Sequence, residues 1–183
     1  MKKSILGIIC AILVIAFANS CGNSTGTGSN ANDSTAIADS LDSVSKKEWV
    51  YQNSVDEMDG SIIKGAYLVS SNTVDFDFPY SGGSNLRIII AGDCGVGVSI
   101  SKGQFNSNEF NGTNYVTVRF DNDAPIKFLT FEPSDYSSDM LILGNSKTFI
   151  KLPKKAKRIK IEAPFFTEGW RVFTFSTNKP LEW

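Results

Sequence analysis

The sequence predicts an all-β fold, an antiparallel β-sandwich or barrel of about eight to nine strands with one short helix. Many short stretches alternate apolar and polar residues with a period of two, as half-buried strands do. Clusters of Gly, Pro, Asn, Asp and Ser separate these stretches at fairly regular intervals, where turns are expected. Short strands with frequent turns are typical of sandwiches and barrels.

The clearest strands place their large apolar side chains on one face. In "TVDFDF", for example, Val74, Phe76 and Phe78 alternate with polar residues. Similar alternation predicts strands at 96–101, 115–120 and 158–162. Further strands are expected at 62–69, 86–91, 126–131, 140–143 and 171–176. Residues 147–156 are expected to form the helix, which Pro153 limits because proline has no N–H to donate.

These elements lie in residues 48–183, which have the composition of one folded domain. A β domain of about 135 residues can bury roughly two thirds of the surface that its unfolded chain exposes. Cys94 is the only cysteine in this domain, so no disulfide can form within it. The fold must therefore depend on its hydrophobic core.

The first 20 residues have the features of a secretory signal peptide. Lys2 and Lys3 provide a positive start, and an apolar stretch follows from about Ser4 to Phe17. This stretch is shorter than the ~20 apolar residues that a helix needs to cross a bilayer. Removal of the segment would leave a net charge of −3, because both lysines leave and no acidic residue does.

Cys21 comes directly after small residues, in Ala18-Asn19-Ser20-Cys21. This arrangement resembles the lipobox of bacterial lipoproteins, which implies cleavage before Cys21 and attachment of fatty acyl chains such as palmitate. Several acyl chains form a stable membrane anchor without a transmembrane helix. The alternative is a plain signal peptide that a cysteine follows by chance. Because Gly22 is not the aspartate that resembles an inner-membrane retention signal, the outer membrane facing the periplasm is expected, with surface exposure left open.

Residues 21–47 comprise the lipidated cysteine and a tether rich in Ser, Thr, Asn, Asp and Gly. Such a composition buries too little apolar surface to offset the entropy of ordering, so the tether is expected to be disordered. Its 26 residues after Cys21 have a typical end-to-end distance of roughly 28 Å. Three Asp-Ser pairs resemble acceptors of O-glycosylation in some Gram-negative bacteria, at Ser34, Ser40 and Ser43. Chance occurrence in a linker of this composition is an equal alternative.

Charge is distributed unevenly along the chain. The whole sequence has 18 basic and 19 acidic residues, a balance that does not favour nucleic-acid binding. Residues 33–139 have 7 basic and 16 acidic residues, whereas residues 147–171 have 8 and 2. The basic excess includes six candidates for binding an anionic partner, namely Lys151, Lys154, Lys155, Lys157, Arg158 and Lys160. The alternative is that these are solvated residues on the outer face of the fold.

The sequence contains no complete catalytic set. Without histidine, Ser-His-Asp and Cys-His arrangements are excluded. Ser99 and Lys102 match the S-x-x-K pattern of penicillin-binding enzymes, but that pattern needs a helix and this stretch alternates like a strand. Cys94 lies in a Gly-rich turn without the further ligands that a metal or redox site requires. The acidic turns at 56–60 and 121–123 lack the EF-hand spacing, so no metal site is assigned.

Aromatic residues are candidates for a carbohydrate-binding surface, because their rings can stack on the faces of sugars. The candidates are Trp49, Tyr80, Phe165, Phe166, Trp170 and Trp183. The segment "APFFTEGW" is the expected exposed cluster, since it contains Pro and Gly. The alternative is that these aromatic residues belong to the core, which is the commoner place for them in a small β domain.

Several short segments of the domain resemble VasI-type accessory proteins, a family associated with type VI secretion, and related secreted domains. They are "VRFD" at 118–121, "SSDMLIL" at 137–143, "FIKL" at 149–152 and "VFTFSTNKPLEW" at 172–183. The resemblance implies an envelope-facing β domain without catalytic activity. It assigns no site residues.

These features favour a lipid-anchored binding protein of the cell envelope over an enzyme. The expected partners are the membrane, through the anchor, and an envelope protein or another anionic molecule. An inhibitor or carbohydrate-binding module acting on envelope glycans is the alternative. No cofactor is expected, and the sequence leaves the oligomeric state open.

Overall fold

A computed structural model describes residues 48–56, 58–92 and 95–183. Eleven strands and one helix form within these ranges. In chain order they are β1 (Val50–Val55), β2 (Ile62–Val69), β3 (Val74–Asp75), β4 (Gly83–Ser84), β5 (Leu86–Ala91), β6 (Gly95–Ile100), β7 (Tyr115–Phe120), β8 (Ile126–Phe131), β9 (Met140–Leu143), α1 (Ser146–Lys151), β10 (Arg158–Phe165) and β11 (Gly169–Ser176).

Nine of the strands form one antiparallel sheet in the order β1-β2-β5-β6-β9-β8-β7-β10-β11, and this sheet is not closed. Strand β8 joins its two halves. Residues 126–129 of β8 pair with β7, whereas Thr130 and Phe131 pair with β9. The two remaining strands, β3 and β4, form a small separate ribbon. The predicted all-β antiparallel fold is therefore confirmed, as an open sheet rather than a closed barrel.

The core lies between the two halves of the sheet. Leu68, Ile88 and Val98 from the half that contains β1 are fully buried, and so are Ile161 and Phe173 from the half that contains β11. All five belong to one hydrophobic cluster. Because side chains alternate between the faces of a strand, each half turns its apolar face inward and its other face outward. The result is a sandwich built from one folded sheet.

The segment after β2 ties the first half of the sheet to β11. The backbone N–H of Ser71 donates to the carbonyl oxygen of Thr174 at 2.7 Å. The Asn72 side chain completes the link, because it donates to the carbonyl of Val172 at 3.1 Å and accepts from the N–H of Thr174 at 2.6 Å. These bonds join residues about a hundred positions apart and hold the segment after β2 against β11.

Helix α1 covers one end of the sandwich. Phe149 is fully buried there, with its ring centroid 5.6 Å from that of Phe120 and 5.4 Å from that of Phe128. The helix is shorter than the predicted 147–156, because it ends at Lys151 and Pro153 follows without an N–H to donate. Its existence and place are as predicted.

The predicted strand at 73–78 is wrong beyond Asp75, where β3 ends. Phe76 is buried as expected, but Phe78 is 95% exposed and does not share its face. The N–H of Asp77 is bound at 2.8 Å by the carboxylate of Glu168, so it is not available to a neighbouring strand. Hydrogen bonds from Arg171 and from this N–H hold the pKa of Glu168 below its ordinary value of 4.5, so it is a carboxylate at neutral pH.

The buried apolar side chains of the described core all lie between Trp49 and Leu181. The described residues thus form a hydrophobic core among themselves. We expect a fragment of residues 22–183, which lacks the predicted signal segment and Cys21, to fold by itself.

Candidate anion-binding surface

The basic cluster, which we define as Lys151, Lys154, Lys155, Lys157, Arg158 and Lys160, is exposed at every position. Lys151 is the last residue of α1, and the next two lysines lie in the turn that follows it. Arg158 and Lys160 lie on β10. The cluster therefore extends from the end of the sandwich that α1 covers onto an outer face of the sheet.

Buried residues within the same segment hold this surface in place. Pro153, Ala156 and Ile159 are buried between the exposed basic residues. The turn after α1 is closed by the N–H of Lys155, which donates to the carbonyl of Leu152 at 3.1 Å. Apolar residues at this spacing point inward and leave the charged side chains in solvent, as amphipathic segments do.

Asp121 fixes the backbone at the start of β10. Its carboxylate accepts the N–H of Lys157 at 3.1 Å and the N–H of Arg158 at 2.9 Å. The carbonyl of Lys157 accepts the N–H of Thr177 at 2.8 Å. In the acidic turn at 121–123, the Asp121 carboxylate therefore serves to bind backbone N–H groups of β10 and the residue before it.

Among the described side chains, no carboxylate forms an ion pair with the cluster. Across the described ranges, the ion pair present is that of Arg171 with Glu168, at 2.9 Å, and it lies outside the cluster. Within the cluster, Lys154 donates to the carbonyl oxygen of Trp183. Lys160 lies directly opposite Arg119 in the pairing of β10 with β7, and like charges in this position destabilise a sheet. An anion bound here would relieve that repulsion.

Sequence reasoning missed two basic residues that the fold adds to this surface. Arg119 and Lys127 are both exposed, on β7 and β8. The alternation in "YVTVRF" places Arg119 on an outer face. Its position opposite Lys160 depends on strand order and register, which the sequence pattern does not specify.

The six aromatic candidates for a carbohydrate-binding surface separate into three groups. Trp49 and Phe165 are buried in the core, as the alternative interpretation has it, and the expected exposure of "APFFTEGW" is wrong at Phe165. Tyr80 and Trp183 are partly buried against it. Phe166 and Trp170 are 60% and 37% exposed. The Trp170 ring lies 5.0 Å from that of Tyr115, on the outer face of the sheet.

A groove of about 840 Å³ lies on the outer face of the other half of the sheet. Gln52, Asn53, Tyr67, Arg87 and Asp135 contribute to its lining. The Arg87 guanidinium lies 5.0 Å from the centre of the Tyr67 ring. Hydrogen bonds from Ser137, its backbone N–H above all, hold the pKa of Asp135 below 3.8, so this carboxylate is ionised at neutral pH.

Known proteins do not identify the chain. No protein-family model, curated protein or solved structure matches it. The assignment of a function therefore rests on the sequence and on the geometry of this surface.

Several predicted positions fall outside the described residues. They are the lipidation site Cys21, the glycosylation candidates Ser34, Ser40 and Ser43, and Cys94. Ser99 lies on β6, a strand as predicted, and Lys102 donates to the carbonyl of Ser81 at 3.0 Å. The part of the chain that the structure describes brings together no group of three metal-binding side chains. It also contains no helix with the length and apolarity to cross a bilayer.

Proposed function

We propose that this protein is a lipid-anchored component of the bacterial cell envelope whose β domain binds an anionic partner and catalyses no reaction. The observation that carries the proposal is the basic cluster, because its six exposed cations have no carboxylate partner among the described side chains. The resemblance to VasI-type accessory proteins is in keeping with a non-catalytic envelope domain.

The anchor is the second part of the proposal. The lipobox-like sequence before Cys21 supports acylation of that residue, and Gly22 favours the outer membrane, facing the periplasm. A tether of 26 residues, roughly 28 Å between its ends on average, would keep the domain close to the membrane while leaving it free to turn. A partner at the envelope would then meet the domain at a high local concentration.

Clustered cations favour an anionic partner through their combined field. A single exposed ion pair contributes only about 0–1 kcal/mol, because water and salt screen it. Several like charges held on one surface raise the association rate and make binding sensitive to ionic strength. The rigid backbone at Asp121 and Pro153 keeps these charges in one place, so less ordering is needed on binding.

Reversing two charges of the basic cluster tests the proposal. We expect the fragment 22–183 to be retained on immobilised heparin, and Lys155→Glu with Lys157→Glu to weaken binding roughly five- to ten-fold. Both lysine side chains are exposed and form no hydrogen bond or ion pair with another described residue, so the variant should keep the melting temperature of the parent. The elution salt concentration measures the effect.

The matched control reverses Lys64 and Lys102, two exposed lysines on other parts of the domain. Both variants change the net charge equally, so a difference between them reports position rather than total charge. Equal losses of heparin binding in the two variants, or retention unchanged in the first, would contradict a role for the basic cluster.

The groove supports a second candidate, a carbohydrate-binding module or an inhibitor acting on envelope glycans. It offers polar side chains at Gln52 and Asn53, groups that proteins use to bind sugars. Binding of a neutral oligosaccharide that Gln52→Ala weakens and the Lys155/Lys157 variant leaves unchanged would favour this function over the first.

A further inference from the structure

The outer face of strands β8, β7, β10 and β11 has a cationic end and an apolar end. Strand pairing arranges its side chains in rows that run across the four strands. One row places Arg119 beside Lys160, which in turn lies beside Thr174. The next row contains Lys127, Thr117, Glu162 and Val172, in the order of the strands.

The row after these is apolar. Leu129 lies opposite Tyr115, and Pro164 lies opposite Trp170. The 5.0 Å separation of the Tyr115 and Trp170 rings joins the two pairs into one apolar row. Leu129 is 56% exposed, and Phe131, two residues further along β8, is 57% exposed. Val172, on the same face of β11, is 46% exposed. Pro164 is buried, so the exposed apolar side chains of this face lie on β8 and β11. Exposed apolar side chains gathered on one face mark contact surfaces.

The same face carries an excess of positive charge. Arg119, Lys127, Arg158 and Lys160 point outward on these strands, and Glu162 is the acidic residue among them. Lys127 holds its ammonium 4.0 Å from the centre of the Tyr115 ring, a cation–π contact at the boundary between the two ends. The basic cluster continues the cationic end toward α1.

We propose that this face rests on an anionic phospholipid bilayer, with the apolar row among the headgroups and the cations at the lipid phosphates. The inference rests on the proposed function and specifies its anionic partner as the membrane surface itself. Trp and Tyr favour the boundary between headgroups and hydrocarbon because one part of each ring system is apolar and another is polar. Each Lys or Arg close to an anionic surface strengthens binding by about five-fold.

Three observations favour a bilayer over other occupants. Exposed Leu, Val and Phe side chains gain most from an apolar environment, which a soluble acidic protein or a glycan does not provide as a continuous layer. A second copy of the chain would bring the same excess of positive charge to the contact. The Tyr115 ring already contacts both Lys127 and Trp170, so it is not placed to stack on a sugar.

Vesicle binding by the fragment 22–183 tests the inference, because this fragment lacks the predicted anchor. We expect it to co-sediment with vesicles of phosphatidylcholine mixed with phosphatidylglycerol, and much less with phosphatidylcholine alone. Leu129→Ser with Phe131→Ser should weaken this binding at least roughly ten-fold, since two exposed apolar side chains lose their apolar contacts. The matched control, Phe110→Ser with Tyr136→Ser, changes side chains that are 98% and 82% exposed elsewhere and should bind as the parent does.

Trp170 provides an optical readout from within the apolar row. Its emission should shift to shorter wavelength with anionic vesicles, and Trp170→Phe should remove that shift, because Trp49 is buried and Trp183 is partly buried. Absence of vesicle binding by the parent fragment, or binding without any Trp170 shift, would overturn the inference.

The two proposals fail separately. Vesicle binding that the Leu129/Phe131 variant keeps and the Lys155/Lys157 variant loses would overturn the membrane-seated face and leave the anion-binding proposal standing. Retention on heparin without vesicle binding would have the same meaning. If the Lys155/Lys157 variant keeps both heparin binding and vesicle binding, the proposed function itself is overturned.

Discussion

Replacing Phe149 with alanine is expected to lower the free energy of unfolding by about 3–5 kcal/mol. The Phe149 side chain is fully buried at the end of the sandwich, in edge-to-face contact with Phe120 and Phe128. Its loss would leave a cavity that the surrounding strands cannot easily fill. For a domain of this size the melting temperature should fall by roughly 10–20 °C, which calorimetry of the fragment 22–183 can measure.

Phe110→Ala provides the control for this prediction. The Phe110 side chain is 98% exposed, so its removal should change stability by no more than ~0.5 kcal/mol. A small loss at Phe149, comparable to that at Phe110, would mean that α1 does not close the core. Because α1 leads directly into the basic cluster, we also expect Phe149→Ala to weaken heparin binding.

Gly103→Ala is expected to lower the free energy of unfolding by about 2–5 kcal/mol, the combined cost of backbone strain and of overpacking. Gly103 has a φ of +125°, a conformation that residues with a Cβ rarely adopt. An added Cβ would lie 2.6 Å from one atom of the Phe76 ring and 2.9 Å from another. That ring is buried and packs 4.9 Å from the ring of Phe165, so it has little room to move.

Gly112→Ala separates the cost of backbone strain from the cost of overpacking. Thermal unfolding of the Gly103→Ala and Gly112→Ala variants compares their stabilities. Gly112 also has a positive φ, of +66°, but an added Cβ there would meet no atom within 4 Å. We expect it to cost about 1–2 kcal/mol, from the backbone alone. If Gly103→Ala cost no more stability than Gly112→Ala, the close packing of Phe76 against the turn at Gly103 would be contradicted.

The fold could be predicted where apolar and polar residues alternate. The strands expected at 86–91, 115–120 and 126–131 form with those bounds, because buried residues recur at every second position within each of them. Strand β1 was not predicted, since none of its residues is fully buried and it shows no apolar period. The alternation at 73–78 misleads because the carboxylate of Glu168, from a distant turn, binds the N–H of Asp77. Such long-range contacts leave no local pattern.

The candidate site also has one part that could be predicted from the sequence and one part that could not. The basic cluster comes from one segment of the chain, which also contains the buried residues Pro153, Ala156 and Ile159, so the exposure of the cluster could be predicted. The neighbours that complete the surface, Arg119 and Lys127, come from other strands. They join it only through the order β8-β7-β10, which no feature of a single strand specifies.

Acylation of Cys21 is the central claim, since acyl chains there would place the domain at the membrane, close to an anionic surface. Growth of the native host with radioactive palmitate tests this claim most directly, with Cys94→Ser as the control for a cysteine that should carry no lipid. We predict label in the parent and in Cys94→Ser, both of which should stay in the membrane pellet after a wash that removes peripherally bound proteins. Cys21→Ser should carry no label, and that wash should release it. Label on Cys21→Ser, or an unlabelled parent, would contradict the account.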